Sequence, residues 1–490
     1  MKKKVRVKKL LLLTILTTPL LAPSLARAMD KVDKDFYPYA PSLLQWEKNK
    51  AEFTPPETCA ECHPQQYQEW TGSVHALALK DPIYQGELNK AVKAVGHDIS
   101  RQCEGCHSPA GVVTGEVKAP GLKGLSSMAI NGVSCDICHS VKGHTGWQTP
   151  YHQPENGSLV LSPGKETPEG VVLTKYVPYK PEAGCGEGLH ECVEQPLLKQ
   201  AELCANCHQV HHYETHTPLE STYREWKDSP YSVKNIACQD CHMVAYDTFV
   251  RSADTFTKPA RGEFRHYFNG ANFLLYHLLE AAAQKSGDKE LAANAHEKYE
   301  MAVARLKAAA DVEVLPVYRD NSLAEIKVRV HNKRAGHHMP TSLTNIRQIW
   351  LEMTVTDQNG KVLMTTGTVG KDGSLPEEVR LFNTDGMGEN FHFMVNPWEI
   401  ISFSRNDTIP PKGYKDVYYG LAAPQAKGPL SVEVKLRYRQ AEQKIAHALL
   451  AAVPSDIDLA ATYGLTEMPD LPIVDMVEKN VSIHATKPRQ

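Results

Sequence analysis

Residues 59–63 read Cys59-Ala60-Glu61-Cys62-His63, and the same Cys-x-x-Cys-His pattern returns four times. The later copies are Cys103-Glu104-Gly105-Cys106-His107, Cys135-Asp136-Ile137-Cys138-His139, Cys204-Ala205-Asn206-Cys207-His208 and Cys238-Gln239-Asp240-Cys241-His242. Two cysteines three apart can each add to a haem vinyl group, and the following histidine then lies under the iron as its proximal ligand. Ten of the twelve cysteines are used this way. The reading is five covalently bound haem c groups. Cys59, Cys62, Cys103, Cys106, Cys135, Cys138, Cys204, Cys207, Cys238 and Cys241 are the thioether positions, and His63, His107, His139, His208 and His242 the iron ligands. Zinc sites built from paired Cys-x-x-Cys units need no histidine after every pair and favour pairs closer together than these.

All five motifs fall between Cys59 and His242, and the chain between them is rich in Gly, Pro and His. That leaves little room for a separate apolar core, so haems are expected to form the core and to lie close enough to exchange electrons. Cys185 and Cys192 stand outside the motifs, and in an oxidising compartment a disulfide between them is expected.

Working outward, the chain opens on the basic stretch Met1-Lys2-Lys3-Lys4, followed by an apolar run from Leu10 to Leu21 and the small-x-small signature Ala26-Arg27-Ala28. This is the three-part pattern of a secretory signal peptide over 1–28. The run falls short of the about 20 apolar residues a spanning helix needs, so no transmembrane segment is expected after cleavage. A periplasmic, secreted or cell-surface location follows. Losing residues 1–28 removes seven basic residues and no acidic one, taking the formal charge from −3 to −10. An acidic chain is a poor partner for nucleic acid, whose binding rests on neutralised phosphates.

The predicted fold class is α+β. Residues 29–269 are read as a multihaem module of short helices and loops around stacked haems. In 270–311 the period is helical: Asn272-Phe273-Leu274-Leu275 opens one helix, Gly287-Asp288 breaks it, and Asp288 can cap a second. Over 312–453 the period becomes two, with Ile326, Val328 and Val330 alternating with Lys327, Arg329 and His331, and Asn359-Gly360 marks a hairpin turn. Six to eight such strands predict an antiparallel β-sandwich. The tail, 454–490, is expected to run along the surface.

The stretch Cys59-Ala60-Glu61-Cys62-His63-Pro64-Gln65-Gln66-Tyr67-Gln68-Glu69-Trp70-Thr71-Gly72-Ser73-Val74-His75-Ala76 resembles the opening of the tetrahaem cytochromes that accept electrons from hydroxylamine oxidoreductase, the cytochrome c-554-like family. Gly132-Val133-Ser134-Cys135 resembles that family's third haem segment. The resemblance implies that His75, in the Ser-x-His-Ala element, is a distal ligand to a neighbouring haem. It also implies a distal histidine soon after His139, a role for which His144 and His152 compete. Gly336-His337-His338-Met339-Pro340-Thr341-Ser342 resembles a ligand-bearing loop of multihaem cytochromes with a C-terminal β domain, which implies His337 as a ligand. His266, before Tyr267-Phe268-Asn269-Gly270, resembles a similar element. A weak internal repeat sets Tyr67-x-Glu69-Trp70-x-x-Ser73 beside Tyr223-x-Glu225-Trp226-x-x-Ser229, with Tyr231 in the place of His75.

The function expected is electron transfer through closely packed, mostly bis-His haems. The redox partner would be another cytochrome or a quinol-linked or terminal oxidoreductase. The alternative is a reductase of a small nitrogen or sulfur oxyanion with one open haem. All five motifs end in His, whereas pentahaem nitrite reductases mark their catalytic haem with Lys, so no catalytic residue is assigned.

Overall fold

Period-two alternation builds the C-terminal half. In Ser322–Asn332, Ile326, Val328 and Val330 are fully buried while Lys327, Arg329 and His331 are only partly covered. One face of this strand meets a core and the other meets water, as the pleat requires. The computed structural model describes residues 42–421 and 428–487. The expected signal peptide and the start of the lead-in lie outside the described residues.

Seven strands build the two larger C-terminal sheets: β1 Ala310–Arg319, β2 Ser322–Asn332, β3 Gln348–Thr356, β4 Val362–Thr366, β5 Tyr414–Gly420, β6 Pro429–Arg439 and β7 Ile473–His484. One antiparallel sheet has the order β5-β2-β1, the other β4-β3-β6-β7. Register places apolar residues opposite each other, Val328 against Val417 in the first sheet and Leu351 against Leu436 in the second. Residues from both sheets join one cluster, including Val312, Val328, Val330, Leu351, Met353, Val434 and Leu436. The turn at Asn359-Gly360 joins β3 to β4, and Gly360 takes the left-handed conformation (φ 78°) that favours glycine.

Two helices cover this core. The first, α1, spans Phe273–Ser286 and the second, α2, spans Lys289–Ala309. Between them Gly287 is left-handed, and the Asp288 carboxylate accepts the Leu291 amide at 3.0 Å, capping α2. Phe273, Tyr276, Ala302 and Leu306 enter the same cluster as the strands, so the hairpin packs as part of the β core.

The tail departs from expectation. Instead of only running over the surface, it supplies β7, a 12-residue edge strand paired along β6 from Pro429–His484 to Arg439–Ile473. Only Val474, Met476 and Ile483 of β7 are buried, and polar Glu478-Lys479-Asn480 interrupts the alternation. Its pairing rests on backbone hydrogen bonds, which the side-chain pattern does not report.

Around the five motifs the apolar packing is fragmented. Small clusters surround Phe53, Ile137 and Leu161, surround Leu79, Tyr84 and Leu88, and surround Ala201, Tyr223 and Ala237. The segment also contains short strands that its Gly and Pro content conceals, at Val141–His144, Leu159–Leu161, Gly164–Thr167, Gly170–Val177 and Glu191–Glu194. Cys185 and Cys192 form the expected disulfide, with Cα atoms 6.0 Å apart.

Candidate functional site

Each motif is wound as helical turn. The His63, His208 and His242 amides donate to the Cys59, Cys204 and Cys238 carbonyls at 2.8, 2.9 and 2.9 Å. The second and third motifs end the helix Asp98–His107 and form the helix Cys135–His139. One turn brings residues four apart to the same face, so the first cysteine and the histidine of each motif point to one side. None of the ten motif cysteines is in a disulfide. The thiols of Cys59 and Cys135 interact, as do those of Cys106 and Cys207 and those of Cys204 and Cys238. The first motif therefore abuts the third, and the fourth abuts both the second and the fifth.

Three motif histidines face a second histidine. The ring centres of His208 and His75 are 6.3 Å apart, those of His139 and His266 are 6.4 Å apart, and those of His242 and His337 are 6.2 Å apart. A metal ion held between two imidazoles needs about 2 Å to each nitrogen and about 1 Å more to each ring centre, or about 6 Å in all. The three spacings fit a haem iron bound on both faces.

The hydrogen bonds of these rings support that use. His139 Nδ1 meets the Tyr176 carbonyl at 2.7 Å, His242 Nδ1 the Asn269 carbonyl at 2.8 Å, and His337 Nδ1 the His338 carbonyl at 2.8 Å. A carbonyl can only accept, so Nδ1 carries the proton and Nε2 keeps a lone pair for a metal. Burial, reinforced by neighbouring imidazoles, drives the pKa of His75 down to about 3 and that of His242 to about 4, so both are neutral near pH 7. His208 Nδ1 lies 3.1 Å from the Glu220 carboxylate. The buried Nδ1 of His75 has no hydrogen-bond partner, and that of His266 lies 3.7 Å from the Glu69 carboxylate. Phe268 lies against His75, ring centres 4.6 Å apart.

The remaining candidates are placed differently. His107 Nδ1 meets the Ala78 carbonyl at 2.8 Å, and the Tyr84 ring stacks on it at 3.7 Å. His63 is exposed before the helix Pro64–Trp70. Among the described residues no imidazole ring faces His63, His107 or His144. His144 ends a short strand, and its Nδ1 accepts the Gly146 amide at 3.1 Å, which puts the proton of the neutral ring on Nε2. The competing His152 is exposed, with Nδ1 3.0 Å from the Trp147 carbonyl. The carbonyls of Ala78, Tyr176 and Asn269 escaped sequence reasoning because a backbone partner leaves no side-chain signal, and the Glu220 carboxylate because it lies 12 residues beyond His208.

Residues 58–140 match the family model of cytochrome c554 and c-prime. That segment, 83 of the 490 residues, is similar to the cytochrome c554 family. A penta-haem cytochrome c552 from Thermochromatium tepidum has a similar fold, with a TM-score of 0.57 at 18% identity over 88% of this chain and 99% of that one. No curated protein matches this chain. Among its described residues no helix is long and apolar enough to cross a membrane.

Proposed function

We propose that this cytochrome is an exported pentahaem electron carrier that passes electrons between redox partner proteins. The observation that carries the reading is the trio of facing imidazole pairs, His208 with His75, His139 with His266 and His242 with His337, at 6.2 to 6.4 Å. An iron ligated on both faces has no position left for substrate, which suits electron transfer. The ten motif cysteines would hold the porphyrins covalently, and haem iron, when bound, supplies one-electron exchange. The protein's own part is orientation and exclusion of water. The Tyr176, Asn269 and His338 carbonyls fix the tautomers of His139, His242 and His337, and burial keeps these three imidazoles neutral. Neighbouring motifs in contact provide short steps from one centre to the next.

A second reading rests on His63 and His107, which face no imidazole among the described residues. A haem at either motif with an open position would suit a reductase of a small nitrogen or sulfur oxyanion. Electron paramagnetic resonance of the purified protein separates the two. Low-spin signals from all haems, unchanged by nitrite or sulfite, support the carrier; a high-spin haem whose spectrum shifts with the anion supports the reductase.

A further inference from the structure

The repeat Tyr67-x-Glu69-Trp70-x-x-Ser73 and Tyr223-x-Glu225-Trp226-x-x-Ser229 recurs in three dimensions with the same contacts. In both copies the tyrosine and tryptophan rings adjoin, with centres 5.9 and 5.6 Å apart. The serine amide donates to the tryptophan carbonyl at 2.9 Å in each. Trp70 Nε1 donates to the Val133 carbonyl at 2.9 Å, and Trp226 Nε1 donates to the Ile236 carbonyl at 2.7 Å. Val133 and Ile236 each lie two residues before the first cysteine of a motif, Cys135 and Cys238.

The carboxylate beside each tryptophan reaches the opposite side of the same centre. Glu69 Oε2 accepts the backbone amide of His266 at 2.8 Å, across 197 residues of sequence. His266 is the ring that faces His139, the histidine of the motif pinned by Trp70. Glu225 Oε2 accepts the backbone amide of His338 at 3.1 Å and the Thr341 hydroxyl at 2.6 Å. That loop carries His337, which faces His242, the histidine of the motif pinned by Trp226. Each adjacent Glu-Trp pair thus bonds to the backbone of both segments that carry one histidine pair.

We propose that Glu69-Trp70 and Glu225-Trp226 are duplicated positioning clamps, each setting the spacing of one axial histidine pair, His139 with His266 and His242 with His337. The clamp rests on the axial-ligand reading given above. A buried amide left without its acceptor is costly, and partners outside the ligand shell fix ligand orientation. Tryptophan holds the turn that carries the proximal histidine, glutamate holds the loop that carries the distal one, and their adjacency on one helical turn fixes the distance between them. The second copy has Tyr231 where the first has His75, and its hydroxyl lies between the Ala253 carbonyl at 3.1 Å and the Arg334 carbonyl at 3.3 Å, beside the His337 loop.

The test uses the full-length, haem-loaded protein. Intact mass counts the haems, electron paramagnetic resonance counts low-spin centres, and carbon monoxide titration counts open ones. Glu225→Ala is expected to keep the parent's haem number, lose one low-spin signal in part or whole, and bind up to one more carbon monoxide than the parent. Glu225→Gln retains an oxygen acceptor and is expected to keep the parent spectrum. Glu225→Ala added to His337→Ala is expected to lose nothing beyond His337→Ala alone. The Glu69 variants are expected to behave likewise with His266→Ala. If Glu225→Ala does not load haem, Trp226→Phe, which keeps the ring and deletes the donor, is expected to shift the g-values of the same centre. A Glu225→Ala or Trp226→Phe spectrum identical to the parent overturns the clamp. A His337→Ala spectrum identical to the parent overturns instead the ligand reading on which it stands.

Discussion

The His242 ring faces the His337 ring at 6.2 Å, tilted by 20°, although His242 closes the fifth haem motif and His337 belongs to a loop between β2 and β3. The pair sets a residue of the last motif against a loop of the β core. Replacing His337 with Ala should therefore open one iron without detaching any haem. One low-spin signal should become high-spin, and one further carbon monoxide should bind on reduction. The potential of that centre should move, because axial ligation is a major lever on haem potential.

Covalent loading should be complete at the motifs. Ten motif cysteines outside any disulfide allow ten thioether bonds, so the intact mass should exceed that of the apoprotein by five haems. Cys185 and Cys192, being disulfide-bonded, should carry none. A mass increment of four or fewer haems in fully matured protein would count against the pentahaem reading.

The two sheets should be stabilised by their apolar interior independently of the cofactors. Leu436 is fully buried in the shared cluster. Leu436→Ala should lower stability by about 2–5 kcal/mol. Denaturant unfolding followed by far-ultraviolet circular dichroism should show this, with haem number and low-spin count unchanged in the folded protein.

Lys298 offers a pH-dependent case. It is 1% exposed, and its Nζ donates to the Asn294 side chain at 2.5 Å and to the Gln68 carbonyl at 3.4 Å. Burial lowers its pKa to about 8. The folded state then binds this proton less tightly than the unfolded chain does, so the destabilisation is full below about pH 8. It is relieved as pH rises toward the unfolded lysine value of about 10.4. Lys298→Met should be the more stable protein at pH 7, by at most on the order of 3 kcal/mol. Its advantage over the parent should shrink between pH 8 and pH 10 in paired thermal melts, and an advantage constant across that range would exclude this titration.

The sequence by itself determined the features that depend on near neighbours. The five Cys-x-x-Cys-His turns, the Asp288 cap, the Asn359-Gly360 turn and the inward faces of β2, β3 and β6 follow from spacings of two to four residues. The Tyr-x-Glu-Trp-x-x-Ser repeat was equally visible, but its meaning was not, because the amides of His266 and His338 lie far away along the chain. Only the tertiary structure set His266 opposite His139. Only it drew Ile473–His484 out of the tail and onto the edge of a sheet. The physical reason is the same in both cases. A local pattern shows which face a residue presents, whereas its partner depends on how distant segments pack and on backbone groups that every residue carries alike.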